Sequence, residues 1–190
     1  MSEDRLTSKE QEILLKEARR ALELGVAGEP LAPFNLETYS DKLCEPGATF
    51  VTLTIRGQLR GCVGTLEAYQ PLIEDVREHA IAAALQDYRF PAVRIEEVPK
   101  ILIEISRLTK PVLLGYHDAS DLVEKLRPGI DGVVLKDGLR RATFLPQVWH
   151  KIPKTTEFLS HLCEKMGSSS DLWMRKKLDV FIYQVEEFHE

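Results

Sequence analysis

The fold is decided by residues 50–65, which read FVTLTIRGQLRGCVGT. The first six residues are β-branched or apolar, which is typical of a strand, and a second such run extends from Leu59 to Thr65. Arg56-Gly57-Gln58 lies between the two runs and predicts a tight turn. The stretch is therefore interpreted as a β-hairpin. Because the strands of a hairpin are antiparallel, a fully parallel, doubly wound sheet is disfavoured.

Further strands are predicted in the second half of the chain. Ile101–Arg107 alternates apolar and polar side chains, as a half-buried strand does. Ile130–Leu135 and Leu139–Leu145 flank Lys136-Asp137-Gly138, which predicts a second hairpin with a glycine turn. Leu178–Val185 is interpreted as one final strand. These patterns predict about six strands.

Helices are predicted between the strands. Thr7 and Glu10 have the spacing of a capping box, and the helix that they begin is expected to end at Gly25. Pro71 occupies the first turn of a second helix. That helix has one apolar face, formed by Leu72, Val76, Ala80, Ala83 and Ala84. Further helices are expected near Glu37–Leu43, after Asp118, and from Thr155 or Thr156 to Gly167.

The predicted class is α+β, with a mainly antiparallel sheet and flanking helices. The length of 190 residues is interpreted as a single domain over residues 1–190, with room for a larger and a smaller lobe. The 25 basic and 30 acidic residues give a net charge of -5. A nucleic-acid-binding protein usually has an excess of basic residues, which this chain lacks.

The composition also predicts the cellular compartment. No apolar run approaches the roughly 20 residues that span a bilayer, and the N-terminal MSEDR is polar. We therefore expect a cytoplasmic protein. Its three cysteines, Cys44, Cys62 and Cys163, have neither the number nor the spacing of a disulfide framework or a zinc site. Reduced thiols are expected.

Cys62 lies in the segment with the most chemical potential, Leu59–Gly64. Glycines within a strand indicate a bulge, a bend or the close approach of backbone or ligand, and Gly61 and Gly64 both fit this description. Arg60 precedes the cysteine by two residues, and a cation there lowers a thiol pKa and activates a nucleophile. The alternative is a small packed cysteine with Arg60 in a structural ion pair.

The same segment resembles the signature of the AMMECR family, named for the chromosomal region of Alport syndrome, midface hypoplasia and elliptocytosis. The family pattern is LRGCIG, and only Val63 departs from it. Matching blocks follow in order along the chain: residues 50–53, 87–91, 129–133, 142–148 and 163–165. Two departures are Ala92, where a second proline is usual, and Met166 in a Lys-Ala-Gly-Leu helix end. The likeness spans residues 8–187.

The resemblance implies a two-lobe α+β protein. It also implies two partners, a Memo-type protein and a radical S-adenosylmethionine enzyme, because bacterial and archaeal members resemble one component of that three-part set. Animal members of the family have been proposed as regulatory or nucleic-acid-related factors. The resemblance does not assign a reaction.

Asp87 and Arg89 are expected close to Cys62, since the helix from Pro71 follows that strand directly and must pack back on it. With Arg60 they would line a cleft that binds an anionic ligand through its guanidinium groups. Gly61, Gly64 and Gln147 complete the candidate ligand-binding set. The alternative is that Asp87 and Arg89 pair only to end the helix.

His150 is the histidine best placed to act as general base for Cys62, although an ordinary exposed histidine is the alternative. His79 and His117 have no ligand-like neighbours in sequence. His161 and Cys163 are two residues apart on a helix, which is poor metal-ligand geometry. We expect neither a metal site nor a cofactor.

Three functions stay open. The first is an enzyme, or an enzyme component, with Cys62 as nucleophile and Arg60, Asp87 and His150 in support. The second is a non-catalytic adaptor for the Memo-like or radical enzyme partner. The third and weakest is nucleic-acid binding through Arg175-Lys176-Lys177 beside Trp173, where a solvated charged face is the alternative.

Overall fold

The computed structural model describes residues 5–32 and 35–190, which form two compact units. The first unit extends to Leu108 and includes Glu186–Glu190, and the second is Thr109–Val185. The helices, in chain order, are α1 (Ser8–Ala27), α2 (Asp41–Cys44), α3 (Leu72–Leu85), α4 (Ala119–Lys125), α5 (Thr155–Lys165) and α6 (Leu172–Arg175). The strands are β1 (Pro46–Ile55), β2 (Gln58–Gly64), β3 (Gln70–Pro71), β4 (Ile101–Leu108), β5 (Val112–Leu113), β6 (Gly132–Asp137), β7 (Arg140–Phe144), β8 (Asp179–Tyr183) and β9 (Val185–His189). Short 3₁₀ helices span Leu36–Thr38, Ile95–Lys100 and Pro146–His150.

The first unit is an antiparallel sheet with helices packed on one face. Its strands lie in the order β2-β1-β4-β9, and β3 pairs with the start of β1. Helix α3 packs on β1, and α1 packs on α3. The core between sheet and helices is fully buried at Val51, Leu53, Ile103 and Ile105. Alternate residues of the same strands point to the opposite side, here called the outer face.

The hairpin predicted from residues 50–65 is confirmed. Strands β1 and β2 pair antiparallel, and β1 also pairs with β4 along its length. Arg56 and Gly57 form the turn with φ angles of 52° and 75°. Two successive positive φ angles are typical of the primed turns that match the twist of a two-residue hairpin.

Helix α1 begins as predicted and ends later than predicted. Thr7 and Glu10 form the capping box. The helix continues through Gly25 to Ala27, and Gly28 ends it in the left-handed conformation with φ of 74°. A Cβ atom at Gly25 would lie 2.8 Å from the Ile81 side chain. The glycine at position 25 therefore permits α1 to pack closely on α3.

The second unit is a four-stranded antiparallel sheet in the order β5-β8-β6-β7. The predicted hairpin of β6 and β7 is confirmed, with Gly138 at φ 61° in its turn. Asp118 caps α4 as expected, by accepting hydrogen bonds from two main-chain N–H groups. Trp149 and Phe158 stack in the core, with their ring planes 3° apart.

The single final strand predicted for Leu178–Val185 is wrong, because the chain here contributes to both sheets. β8 pairs within the second unit, whereas β9 lies beside β4 in the first. Gln184 separates the two strands, and its main-chain N–H and C=O both bond to Thr109. Alternation of side chains continues through this point, so the sequence pattern does not mark the change of sheet.

The basic segment at residues 175–177 forms surface ion pairs. Arg175 pairs with Asp171, and Lys176 pairs with Asp137. Trp173 is only 5% exposed and donates its indole N–H to Ser160. The predicted aromatic platform for nucleic acid is therefore wrong, because the ring belongs to the core of the second unit.

Two further expectations concern the chain ends and the irregular segment. The polar residues 1–4 lie outside the described part of the chain, as do residues 33 and 34. No helix among the described residues is long and apolar enough to cross a membrane.

Candidate functional site

The two glycines of the Leu59–Gly64 segment allow close backbone contacts. A Cβ atom at Gly61 would lie 2.0 Å from the carbonyl oxygen of Ala83 in α3, and one at Gly64 would lie 2.3 Å from the carbonyl oxygen of Thr49 in β1. Only glycine fits such contacts. The space that the missing side chains leave is thus filled by the protein's own backbone.

Arg60 occupies a bulge in β2. Gly61 pairs with Leu53 and Leu59 pairs with Thr54, so Arg60 is the extra residue. Its guanidinium binds the Glu97 carboxylate in a bidentate pair at 2.9 and 3.1 Å and donates a further bond to the carbonyl of Pro91. This is the structural ion pair of the alternative interpretation. Arg60 lowers the pKa of Glu97 to about 2.

Cys62 lies on the outer face of the sheet. Thr52 is its direct neighbour on β1, and the Thr52 hydroxyl donates a hydrogen bond to the Cys62 Sγ at 3.3 Å. The thiol is half-buried, whereas Cys163 is fully buried. Burial raises the pKa of the Cys163 thiol. Cys62 is accordingly the more accessible of these two.

Asp87 and Arg89 hold the main chain of Cys62. The Cys62 N–H donates to Asp87 Oδ2 at 2.8 Å, and Arg89 Nη2 donates to the Cys62 carbonyl at 3.1 Å. The two side chains also bind each other, at 2.7 Å between Arg89 Nη2 and Asp87 Oδ2. Arg89 holds the pKa of the Asp87 carboxyl well below its usual range. The predicted proximity of Asp87, Arg89 and Cys62 is thus present in the structure.

Arg89 keeps a hydrogen-bonding group available and Arg60 does not. The Arg60 side chain is 14% exposed and uses all three of its nitrogens. Arg89 uses Nε and Nη2, its side chain is 46% exposed, and among the described residues Nη1 has no acceptor. The pKa of Arg89 is raised mainly by its hydrogen bonds to Asp87, with a smaller contribution from the nearby Cys62.

Comparison with known proteins follows this geometry closely. The AMMECR1 family model matches residues 15–188. Protein MJ0810 of Methanocaldococcus jannaschii is 34% identical over 97% of this chain and 92% of its own length. Protein MK0488 of Methanopyrus kandleri is 36% identical over 98% and 91%.

This chain belongs to the AMMECR1 family.

The fold of the AMMECR1 chain is also that of a solved relative. A crystal structure of the uncharacterized protein PH0010 from Pyrococcus horikoshii has a TM-score of 0.74 and 32% identity, and it covers 94% of this chain and 90% of its own. The α+β class and the predicted family are both confirmed. Membership fixes the fold of the chain and leaves its reaction open.

Two predicted site residues of this AMMECR1 chain belong to the second unit. Gln147 and His150 lie on the 3₁₀ helix Pro146–His150, and both are exposed. The contacts that surround Cys62, listed above, all come from residues of the first unit. A thiolate pair of Cys62 with His150 therefore stays a prediction.

Sequence reasoning overlooked a buried histidine pair. His79 Nδ1 lies 3.2 Å from Asp75 Oδ2, and the Thr49 hydroxyl donates to the same oxygen at 2.6 Å. The statement that His79 has no ligand-like neighbour is thus wrong. The spacing of Asp75 and His79, four residues apart on a predicted helix, was the available signal. No three His, Cys, Asp or Glu side chains of the described residues form a group that could hold a metal ion.

The concave surfaces of the first unit lie elsewhere. One, of about 350 Å³, is beside α3 at Arg77 and Ile81. Another, of about 390 Å³, follows α1 at Arg19 and ends at Glu190. Neither includes a nucleophile or a residue of Leu59–Gly64, so we place the candidate site on the outer face around Cys62, where the thiol and the polar groups meet.

Proposed function

We propose that this AMMECR1 protein is an enzyme, or the subunit of an enzyme, that uses the Cys62 thiol in covalent chemistry on a small anionic molecule. The observation that carries the proposal is the way in which one residue is held by three side chains. Asp87 and Arg89 fix its main chain, and Thr52 donates to its sulfur. Simple packing of a cysteine requires none of these bonds.

The electrostatics support a thiolate at this position. A hydrogen bond donated to sulfur stabilises the thiolate over the thiol, as does a neighbouring guanidinium. Thr52 and Arg89 supply these two groups. The free Nη1 of Arg89 is suited to a carboxylate or phosphate on the substrate.

The covalent step that this arrangement supports is a nucleophilic substitution. The Cys62 thiol loses its proton to solvent, and its sulfur forms a bond to an electrophilic carbon of the substrate. The bond from that carbon to the leaving group breaks, and the leaving group departs with the electron pair. The Arg89 guanidinium orients the anionic end of the substrate during the step.

The test is iodoacetamide alkylation of the native protein at several pH values, resolved by peptide so that each cysteine is scored separately. We expect Cys62 to react with an apparent pKa below the free value of about 8.5. Cys163 is the internal control and should react only after unfolding, because it is fully buried. A Cys62 that stays inert until the protein unfolds would contradict the proposal.

A second candidate function is an adaptor that binds a partner protein, of the Memo-like or radical S-adenosylmethionine type that the family resemblance implied. Tyr88 favours it. This side chain is 97% exposed, between Asp87 and Arg89, which anchor the loop on β2. An exposed aromatic residue on a fixed loop is typical of interface hot spots. Titration of each purified candidate partner should give a dissociation constant that rises at least tenfold with Tyr88→Ala. Absence of binding to both would contradict it.

A further inference from the structure

Glu104 is a half-buried carboxylate on the outer face of the first unit, and the proposed function does not use it. Among the described residues its side chain has no hydrogen bond and no ion pair. Carboxylates that lose part of their hydration usually gain a charged or hydrogen-bonding partner in exchange. An unpaired one on a sheet face indicates a partner from outside the chain.

The strand register places Glu104 in line with Cys62. Thr52 on β1 lies directly opposite Cys62 on β2 and directly opposite Glu104 on β4. Residues directly opposite each other share one face of a sheet. Cys62, Thr52 and Glu104 therefore form one row across three strands, here called the outer-face row.

The two ends of the outer-face row carry opposite charge. Arg89 binds the Cys62 carbonyl from beyond the edge strand and has its free Nη1 there. Glu104 stands at the other end, two strand spacings away from Cys62, which is about 10 Å. The thiol lies between the guanidinium and the carboxylate.

We propose that Glu104 binds the cationic group of a zwitterionic substrate whose anionic group is bound by Arg89. This proposal rests on the proposed function of Cys62 and adds the class of molecule. The separation of about 10 Å exceeds the distance between the charges of an α-amino acid, which are separated by a single carbon. The substrate class is therefore an ω-amino acid, or a peptide-like molecule with charges equally far apart.

The first experiment measures protection of Cys62 from methyl methanethiosulfonate, a small neutral thiol reagent. The thiolate attacks the reagent sulfur, a mixed disulfide forms, and methanesulfinate leaves with the electron pair. Candidate ligands are glycine, 4-aminobutanoate, 6-aminohexanoate and 8-aminooctanoate. We expect protection to increase with chain length from glycine onward. Hexanoate and hexylamine, which carry one charge each, should protect less than 6-aminohexanoate.

The second experiment assigns the effect to Glu104. Glu104→Gln keeps the size of the side chain and breaks no contact, so this variant should fold normally. It should lose the preference for 6-aminohexanoate over hexanoate. Glu96→Gln, an exposed glutamate of the same unit, is the matched control and should keep it.

Charged reagents give an independent measurement on the same variants. The cationic trimethylammonioethyl methanethiosulfonate should react with Cys62 faster than its anionic sulfonatoethyl analogue, relative to the same ratio in the unfolded protein. Glu104→Gln should reduce that advantage about three- to tenfold, as expected for one charge at this range. Molar salt should reduce it as well.

The outcomes separate the two proposals. If Cys62 fails to react with the neutral reagent in the native protein, the proposed thiol chemistry is wrong. If Cys62 reacts, but glycine protects as well as 6-aminohexanoate or Glu104→Gln changes nothing, only the inferred substrate class is overturned.

Discussion

The Asp87 carboxylate accepts a hydrogen bond from the Cys62 main-chain N–H at 2.8 Å, although the two residues are 25 positions apart. Helix α3 lies between them in sequence and returns the chain to the edge of β2. The same carboxylate binds the guanidinium of Arg89, which in turn binds the Cys62 carbonyl. Cys62 is therefore fixed on both sides of its own peptide unit.

Replacement of Asp87 should destabilise the first unit. Asp87→Asn removes the charge that Arg89 binds and leaves buried hydrogen-bonding groups with poorer partners. We expect a loss of about 2–3 kcal/mol in the free energy of unfolding, measured with urea. Asp171→Asn breaks an exposed ion pair with Arg175 and should cost less than about 1 kcal/mol. Equal losses in the two variants would show that Asp87 is no more than a surface partner.

Glu97 should make stability depend on acid. Arg60 lowers the folded-state pKa of Glu97 from 4.5 to about 2. A depressed folded pKa stabilises the protein above the unfolded value, and this contribution is lost as pH falls from about 4.5 to about 2. Urea unfolding across this range should give a shallower loss of free energy for Glu97→Gln than for the natural protein. Parallel curves for the two proteins would refute the role of Glu97.

Gly61 should tolerate no side chain. Gly61→Ala places a Cβ atom 2.0 Å from the Ala83 carbonyl, so strand and helix must separate. We expect a loss of about 3 kcal/mol or more in the free energy of unfolding, or insoluble protein. Gly115→Ala is the control, since a Cβ atom there meets nothing within 4 Å. A neutral Gly61→Ala variant would mean that the contact between α3 and β2 is looser than described.

The Thr52 hydroxyl should contribute to the reactivity of Cys62. Thr52→Val removes the donor to Sγ and keeps the shape of the side chain. A net hydrogen bond of about 0.5–1 kcal/mol corresponds to a two- to fivefold lower alkylation rate of Cys62 at neutral pH. Thr54→Val, two residues along the same strand and face, should leave the rate unchanged. An unaltered rate in Thr52→Val would exclude the hydroxyl from thiolate stabilisation.

Local chemistry explains which parts of the fold were predictable. The capping box of Thr7 and Glu10 and the cap at Asp118 act within a few residues, and both were predicted correctly. Gly25 misled because its small size serves contact with Ile81, which is 56 positions away in sequence. Gln184 misled because a change of sheet preserves the alternation of side chains.

The candidate site divides in the same way. The approach of Asp87 to Cys62 was predictable, since a helix that follows a strand must pack back on it. The partner of Arg60 was not, because a bulge shifts the register at one residue and leaves no mark in composition. Glu104 and Thr52 became visible only when the register of β1 with both its neighbours was known.

The side chains of Asp87 and Arg89 have a consequence for the behaviour of the protein in concentrated solution. β2 is the outermost strand of its sheet, and an uncovered outermost strand is a template on which other chains add and aggregate. Both side chains occupy the outward-facing N–H and C=O of Cys62, and they block that addition at the middle of the strand. The same ion pair that positions the thiol therefore also keeps the molecule from polymerising along this edge.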